Sequence, residues 1–183
     1  MDTEYRSRKL STFNAVKAIM YMNETATSYD NMTDWLHKIS PGLSPSTLHK
    51  RFRAWVRAGI PERVWKQVTT TYINQKNAIN RKSLSNLFID STMIKNDLGV
   101  DCTGPNPIDR GRNGSKISVI TTADRVVIGY SFAGANKPDS KEVHNTLDSI
   151  PCPLKVDGRC WNNLIADKGY VDKTLKKDLH VKS

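Results

Sequence analysis

The sequence predicts a mixed α+β or α/β protein, with an all-helical part over residues 1–80 and a sheet-bearing part over residues 81–183. Three observations predict it. Up to Ile79 the apolar residues recur near the helical period, in segments punctuated by Ser, Pro and Gly. Beyond Ser85 they gather instead into short runs rich in β-branched residues. The length of 183 residues suits one core domain carrying a small helical attachment, and excludes three or four domains.

The first helix is expected from Ser11, a plausible N-cap, to Asn23, with Phe13, Val16, Ile19, Met20 and Met22 as its apolar residues. A short second helix follows from about Asp30, carrying Met32, Trp35, Leu36 and Ile39, and must stop before Pro41-Gly42. The third runs from Ser44 or Ser46 to Ala58, with Leu48, Phe52, Trp55 and Val56 on one face and Gly59 as a C-terminal cap. Pro61 suits the first turn of a fourth, whose stripe is Val64, Trp65, Val68, Tyr72 and Ile73. Residues 80–85 read as a polar link.

In the second part Leu87-Phe88-Ile89 is a short apolar run, and Ile117 to Thr122 with Arg125 to Phe132 read as a hairpin turning at Ala123-Asp124. Between them residues 96–114, rich in Gly, Pro, Asn and Asp, read as a long loop, and such loops are often functional. A helix from Ser140 to Ile150 turns Val143, Leu147 and Ile150 inward. Leu164-Ile165-Ala166-Asp167 makes the last strand, and Thr174 to Leu179 opens another helix.

Lys and Arg number 28 against 18 Asp and Glu, a net charge of +10 that points to a polyanionic partner, nucleic acid before others. The three cysteines, Cys102, Cys152 and Cys160, lack paired metal-ligand spacing and fit reduced, structural thiols of a cytosolic protein. No stretch approaches the roughly 18 apolar residues of a membrane span, and Met1-Asp2-Thr3-Glu4 does not open a signal peptide. A cytoplasmic protein, nucleoid-associated in a bacterium, is the expectation.

The basic charge is concentrated on the third helix. Lys50, Arg51, Arg53 and Arg57 leave its apolar stripe, the second helix precedes it across a turn, and Thr47, His49 and Lys50 occupy its first turns. That is a helix-turn-helix-like order, with cations for phosphates and short polar groups for base edges. A solvated basic face on a bundle helix is the plainer alternative. Tyr5, Arg6, Arg8 and Lys9 form either a DNA-contacting arm or a basic tail.

Asp90 and Asp167 each close an apolar run and stand 77 positions apart, room for a hairpin and a crossover helix that would bring the second strand parallel to the first. A site made only of Asp and Glu on rigid strands is what a hard, oxygen-preferring divalent ion calls for, and with two carboxylates alone it should bind the ion weakly. A strand terminator or a helix cap is the plainer reading of either one.

Four segments occur in an order that resembles the insertion-sequence transposases of the DDE class, which have a ribonuclease-H-like core. They are Ser46 to Gly59, Phe88-Ile89-Asp90-Ser91-Thr92, Gly111 to Ile117, and Leu164 to Tyr170. The resemblance implies a mixed ribonuclease-H-like sheet and catalysis by Asp90 and Asp167 on Mg2+ or Mn2+. Its partners would be double-stranded DNA, both terminal inverted repeats and target, with a second copy of the chain as dimer partner. Arg110, Arg112 and Lys116 would grip phosphate. In that family a helix bearing a catalytic Glu follows the second Asp. Here sixteen residues follow Asp167, with Asp172 and Asp178 but no Glu, so no third carboxylate is assigned. Asp139 reads as part of a helix N-cap region. The expectation is an incomplete core: part of a longer transposase, one half of a frameshifted product, or a short chain that binds DNA without chemistry, as a transposition inhibitor would.

Overall fold

The computed structural model describes residues 10–39, 44–79, 82–96, 101–154, 163–170, 172 and 175. The N-terminal arm, Pro41-Gly42, Cys160, Asp178 and most of the last expected helix lie outside them. The chain divides into two compact units, Met1–Val64 and Trp65–Ser183, mixed α+β overall.

The first unit holds α1 (Thr12–Thr25), a 3-10 turn (Tyr29–Met32), α2 (Thr33–Ile39), α3 (Pro45–Arg57) and the start of α4 (Ile60–Ile79). Ser11 caps α1 as expected, its Oγ accepting from the Asn14 amide at 3.1 Å, and Ala26 ends the helix in the left-handed region. The buried face of α1 differs from the expected one. Ala15 and Ala18 are fully buried, with Ile19 and Met22 beside them, whereas Phe13, Val16 and Met20 are exposed. Small residues let α1 approach the Met32, Leu36 and Leu48 cluster closely, and the larger side chains fall on the other face.

The second unit continues α4 and adds α5 (Lys82–Ser85), β1 (Asn86–Lys95), β2 (Gly104–Pro105), β3 (Asn113–Thr122), β4 (Val127–Gly134), α6 (Asp139–Asp148) and β5 (Asn163–Ala166). β1 is longer than the apolar run suggested, and the expected loop contains the two-residue β2. β1, β3 and β4 form an antiparallel meander, while β2 pairs with the start of β3. β5 then lies against the free edge of β1 and runs parallel to it, making the sheet mixed. This is the crossover expected from the spacing of Asp90 and Asp167.

Alternation along the strands builds the core. Leu87 and Ile89 of β1, Ile120 of β3 and Ile128 of β4 meet Val143 of α6, Ile73 of α4 and Leu84. Each such burial contributes roughly 1.5–3 kcal/mol. On α4 the buried face runs through Thr69 and Ile73, and Val68 of the expected stripe is exposed. The hairpin turn is fastened to α4 by Tyr72, which donates to Asp124 at 3.0 Å, and by Lys76, 2.6 Å from the same carboxylate. Where α6 crosses β4 the two backbones touch: a Cβ on Gly129 would stand 2.7 Å from the Thr146 carbonyl oxygen.

Candidate functional site: two adjacent carboxylates and a buried ion pair

Ile89 of β1 pairs with Ala166 of β5, so the next residue on each chain, Asp90 and Asp167, falls at adjacent positions. Parallel strands lie about 4.8 Å apart. Both carboxylates are exposed, and each has one oxygen fixed by its own backbone. Asp90 Oδ1 accepts from the Ser91 amide at 2.8 Å, and Asp167 Oδ1 accepts from the Gly169 amide. The remaining oxygens are the hard donors that a divalent cation prefers. Among the described residues no group of three or more His, Cys, Asp or Glu side chains is arranged to hold a metal ion.

Because β1 alternates, Ser91 turns toward α6 where Asp90 does not. Its hydroxyl donates to Asp139 Oδ1 at 2.6 Å. Lys116, on β3, is only 4% exposed and donates to the same oxygen at 2.6 Å and to the Lys137 carbonyl at 2.6 Å. Burial opposes ionisation of Asp139, but the hydrogen bonds from Lys116 and Ser91 and the Lys116 charge outweigh it, holding the carboxyl below its ordinary value. Asp139 is therefore not a cap. Pro138 is the N-cap of α6, and Asp139, its first residue, turns its side chain to the sheet.

Tyr170 completes the surroundings. Its ring is buried in the sheet core and, among the described residues, its hydroxyl finds no hydrogen-bond partner, as is also true of the Ser118 hydroxyl. Burial pushes the phenol above its ordinary pKa. The nearby Ser91 hydroxyl opposes this, the charges of Asp139 and Asp90 reinforce it, and Ser118 opposes it weakly. Asp139 Oδ2 and Asp167 Oδ1 meet across Gly169: a Cβ there would lie 3.7 Å from the first and 3.4 Å from the second.

The structure thus brings together Asp90 and Asp167, and beside them Ser91, Asp139, Lys116 and Tyr170. Lys116, expected to grip phosphate, has its ammonium committed inside the fold. Arg110 and Arg112 are exposed, on a turn in which the amides of Asp109 and Gly111 donate to the Asn106 carbonyl and Asn106 exchanges a further bond with Arg112. The signal for the buried group was present in the sequence. Thr122, Ile120 and Ser118 alternate onto the core face of β3, and counting back reaches Lys116, where a lysine needs a buried acid.

In the helical unit Thr47, His49, Lys50, Arg53 and Arg57 are exposed on α3. Arg51 is half-buried and committed: it donates to the Leu10 carbonyl and to Thr12 Oγ1 at 2.8 Å, and its guanidinium lies 5.2 Å from the centre of the Trp55 ring. His49 packs against Tyr29, ring centres 4.8 Å apart. The thiols of Cys102 and Cys152 are free. Among the described residues no helix is long and apolar enough to cross a membrane.

Over 80 residues the chain is 35% identical to a putative transposase for insertion sequence element IS402 of Burkholderia cepacia. The chain is similar to an insertion-sequence transposase. The match takes in 42% of this chain and 38% of that protein's length. No family model matches. Among solved structures the chain aligns with Mos1 transposase chains in a pre-cleavage transpososome, a strand transfer complex and a paired-end complex with the left transposon end. The TM-scores are 0.39, 0.36 and 0.37 at 11%, 10% and 12% identity, over 98–100% of this chain and 60% of each of those. At these scores the likeness does not define the fold, which rests on the strand order and register above.

Proposed function

We propose that this chain acts in DNA transposition as a DDE-type strand transferase with a ribonuclease-H-like core. The observation that carries the reading is the register of β1 and β5, which sets Asp90, midway along β1, beside Asp167, just past the end of β5. Asp90 and Asp167 would hold Mg2+ or Mn2+, which when bound supplies activation of the attacking oxygen and stabilisation of the leaving one. The reaction is two in-line displacements: water at the transposon end, then the freed 3′-hydroxyl on target DNA. Lys50, Arg53 and Arg57 on α3 contact phosphates of the terminal repeats, with Thr47 and His49 nearest the base edges. Arg110 and Arg112 hold phosphate near the sheet. Paired transposon ends call for a second copy of the chain, or for the remainder of a longer protein of which it is part.

A second reading is that the chain binds DNA without chemistry of its own, as a transposition inhibitor does. It is favoured by the finding that the described residues offer no three-residue metal cluster. Incubating the chain with duplexes bearing the terminal repeats that flank its coding DNA, with Mn2+ or Mg2+, separates the two. Nicking at the repeat end that disappears in Asp90→Ala supports the transferase. Salt-sensitive binding with no nicking in any divalent ion supports the inhibitor.

A further inference from the structure

Three features around Gly169 have no part in a site made of Asp90 and Asp167 alone. A buried lysine is spent on an acid that neither caps its helix nor belongs to the core. A tyrosine hydroxyl that finds no partner among the described residues is buried beside that acid, and buried hydroxyls are rarely left so. A residue without a side chain lies beside both that acid and Asp167, where a Cβ would meet both carboxylates at ordinary contact distance.

Resting on the divalent-ion reading above, we infer that Asp139 is the third carboxylate of the site, acting as a positioning residue through ion-bound water. The distances of 3.7 and 3.4 Å on either side of the Gly169 position place Asp139 Oδ2 and Asp167 Oδ1 no more than about 7 Å apart. No three carboxylates among the described residues are grouped to hold an ion, so Asp139 is assigned to the outer shell, where a cation on Asp167 keeps a water that donates to Asp139. Hydrogen bonds from Lys116 and Ser91 occupy Oδ1, so Oδ2 is the oxygen turned to that water. Lys116 offsets a charge that would otherwise be desolvated. The Tyr170 hydroxyl, buried close enough to Asp139 and Asp90 to feel their charges, is a donor that such water would satisfy. Partners of this outer kind typically change metal affinity by 10- to 100-fold.

The test is Mn2+ affinity of the full chain, read by electron paramagnetic resonance, for wild type, Asp90→Asn, Asp139→Asn and Gly169→Ala, with thermal melts in EDTA alongside. Gly169 is not in the left-handed region and its added methyl meets only van der Waals contacts, so Gly169→Ala should melt as wild type does. The inference predicts that it nonetheless weakens Mn2+ binding about tenfold, as does Asp139→Asn. If Asp139→Asn fails to fold, Gly169→Ala decides alone. Loss of Mn2+ in Asp90→Asn with wild-type affinity in Gly169→Ala would overturn the role of Asp139 and leave the two-carboxylate site standing. Wild-type affinity in Asp90→Asn, or no Mn2+ binding by the wild type, would overturn both.

Discussion

The helical unit and the sheet unit use charge in opposite ways. Around α3, Lys50, Arg53 and Arg57 stand in solvent about a core that needs none of them. In the sheet unit, a cation beside the candidate site is inside: Lys116 is 4% exposed and its acid, Asp139, lies 23 positions further along the chain. Exposed charge is free to meet a partner and costs the fold little. Buried charge fixes geometry, and its removal leaves a desolvated group behind.

The comparison can be broken most forcefully at Lys116. Lys116→Met removes the ammonium and strands Asp139 and the Lys137 carbonyl. Asp139 keeps a side-chain exposure of 31%, so solvent screens part of the cost. A loss of about 2–3 kcal/mol in urea titration is expected. A loss within experimental error would contradict the structural role of the pair.

Arg51 is the exception within the helical unit and sharpens the contrast. Arg51→Ala takes donors from Leu10 and Thr12 and uncovers Trp55, and should destabilise that unit by about 1–2 kcal/mol. A drop in DNA affinity in this variant would therefore mix folding with contact. The clean variant is Arg53→Ala with Arg57→Ala. Its melt should stay within about 0.5 kcal/mol of wild type, while the salt dependence of DNA binding loses a slope of about 0.9 for each phosphate contact removed. Unchanged binding would remove α3 as the DNA-facing element.

The smallest effect is expected at the hairpin turn. Lys76, then Ser83 and Tyr72, hold the Asp124 carboxyl below its ordinary value. A folded pKa below the unfolded one means that the stabilisation is present above the ordinary carboxylate range and is lost as pH falls through the folded value. Asp124→Asn should thus be slightly less stable than wild type at neutral pH, and the gap should close in acid. A gap that widened in acid would reverse the sign of that interaction.

Much of this was legible in sequence because the signals were local. Ser11 as a cap, the order of the helices and the hairpin around Ala123-Asp124 follow from neighbours a few residues apart. The parallel return of β5 followed from the spacing of Asp90 and Asp167. The buried face of α1 did not, since a choice between Ala15-Ala18 and Phe13-Val16-Met20 depends on how closely Leu36 and Leu48 approach. Nor did Asp139, whose position at a helix start reads as capping until Ser91 and Lys116 are seen to reach it from two strands. Arg51 looked like a DNA contact because charge by itself carries no mark of burial, and Lys116 did so because only the alternation back from Thr122 along β3 marks it as buried.

Whether Asp90 and Asp167 act as one divalent-ion site is decided by a double-mutant cycle on Mn2+ affinity. Asp90→Asn, Asp167→Asn and the double variant should all lose binding to nearly the same extent, because either substitution dismantles the shared site. Independent, additive losses, or a single variant that binds Mn2+ as the wild type does, would contradict it.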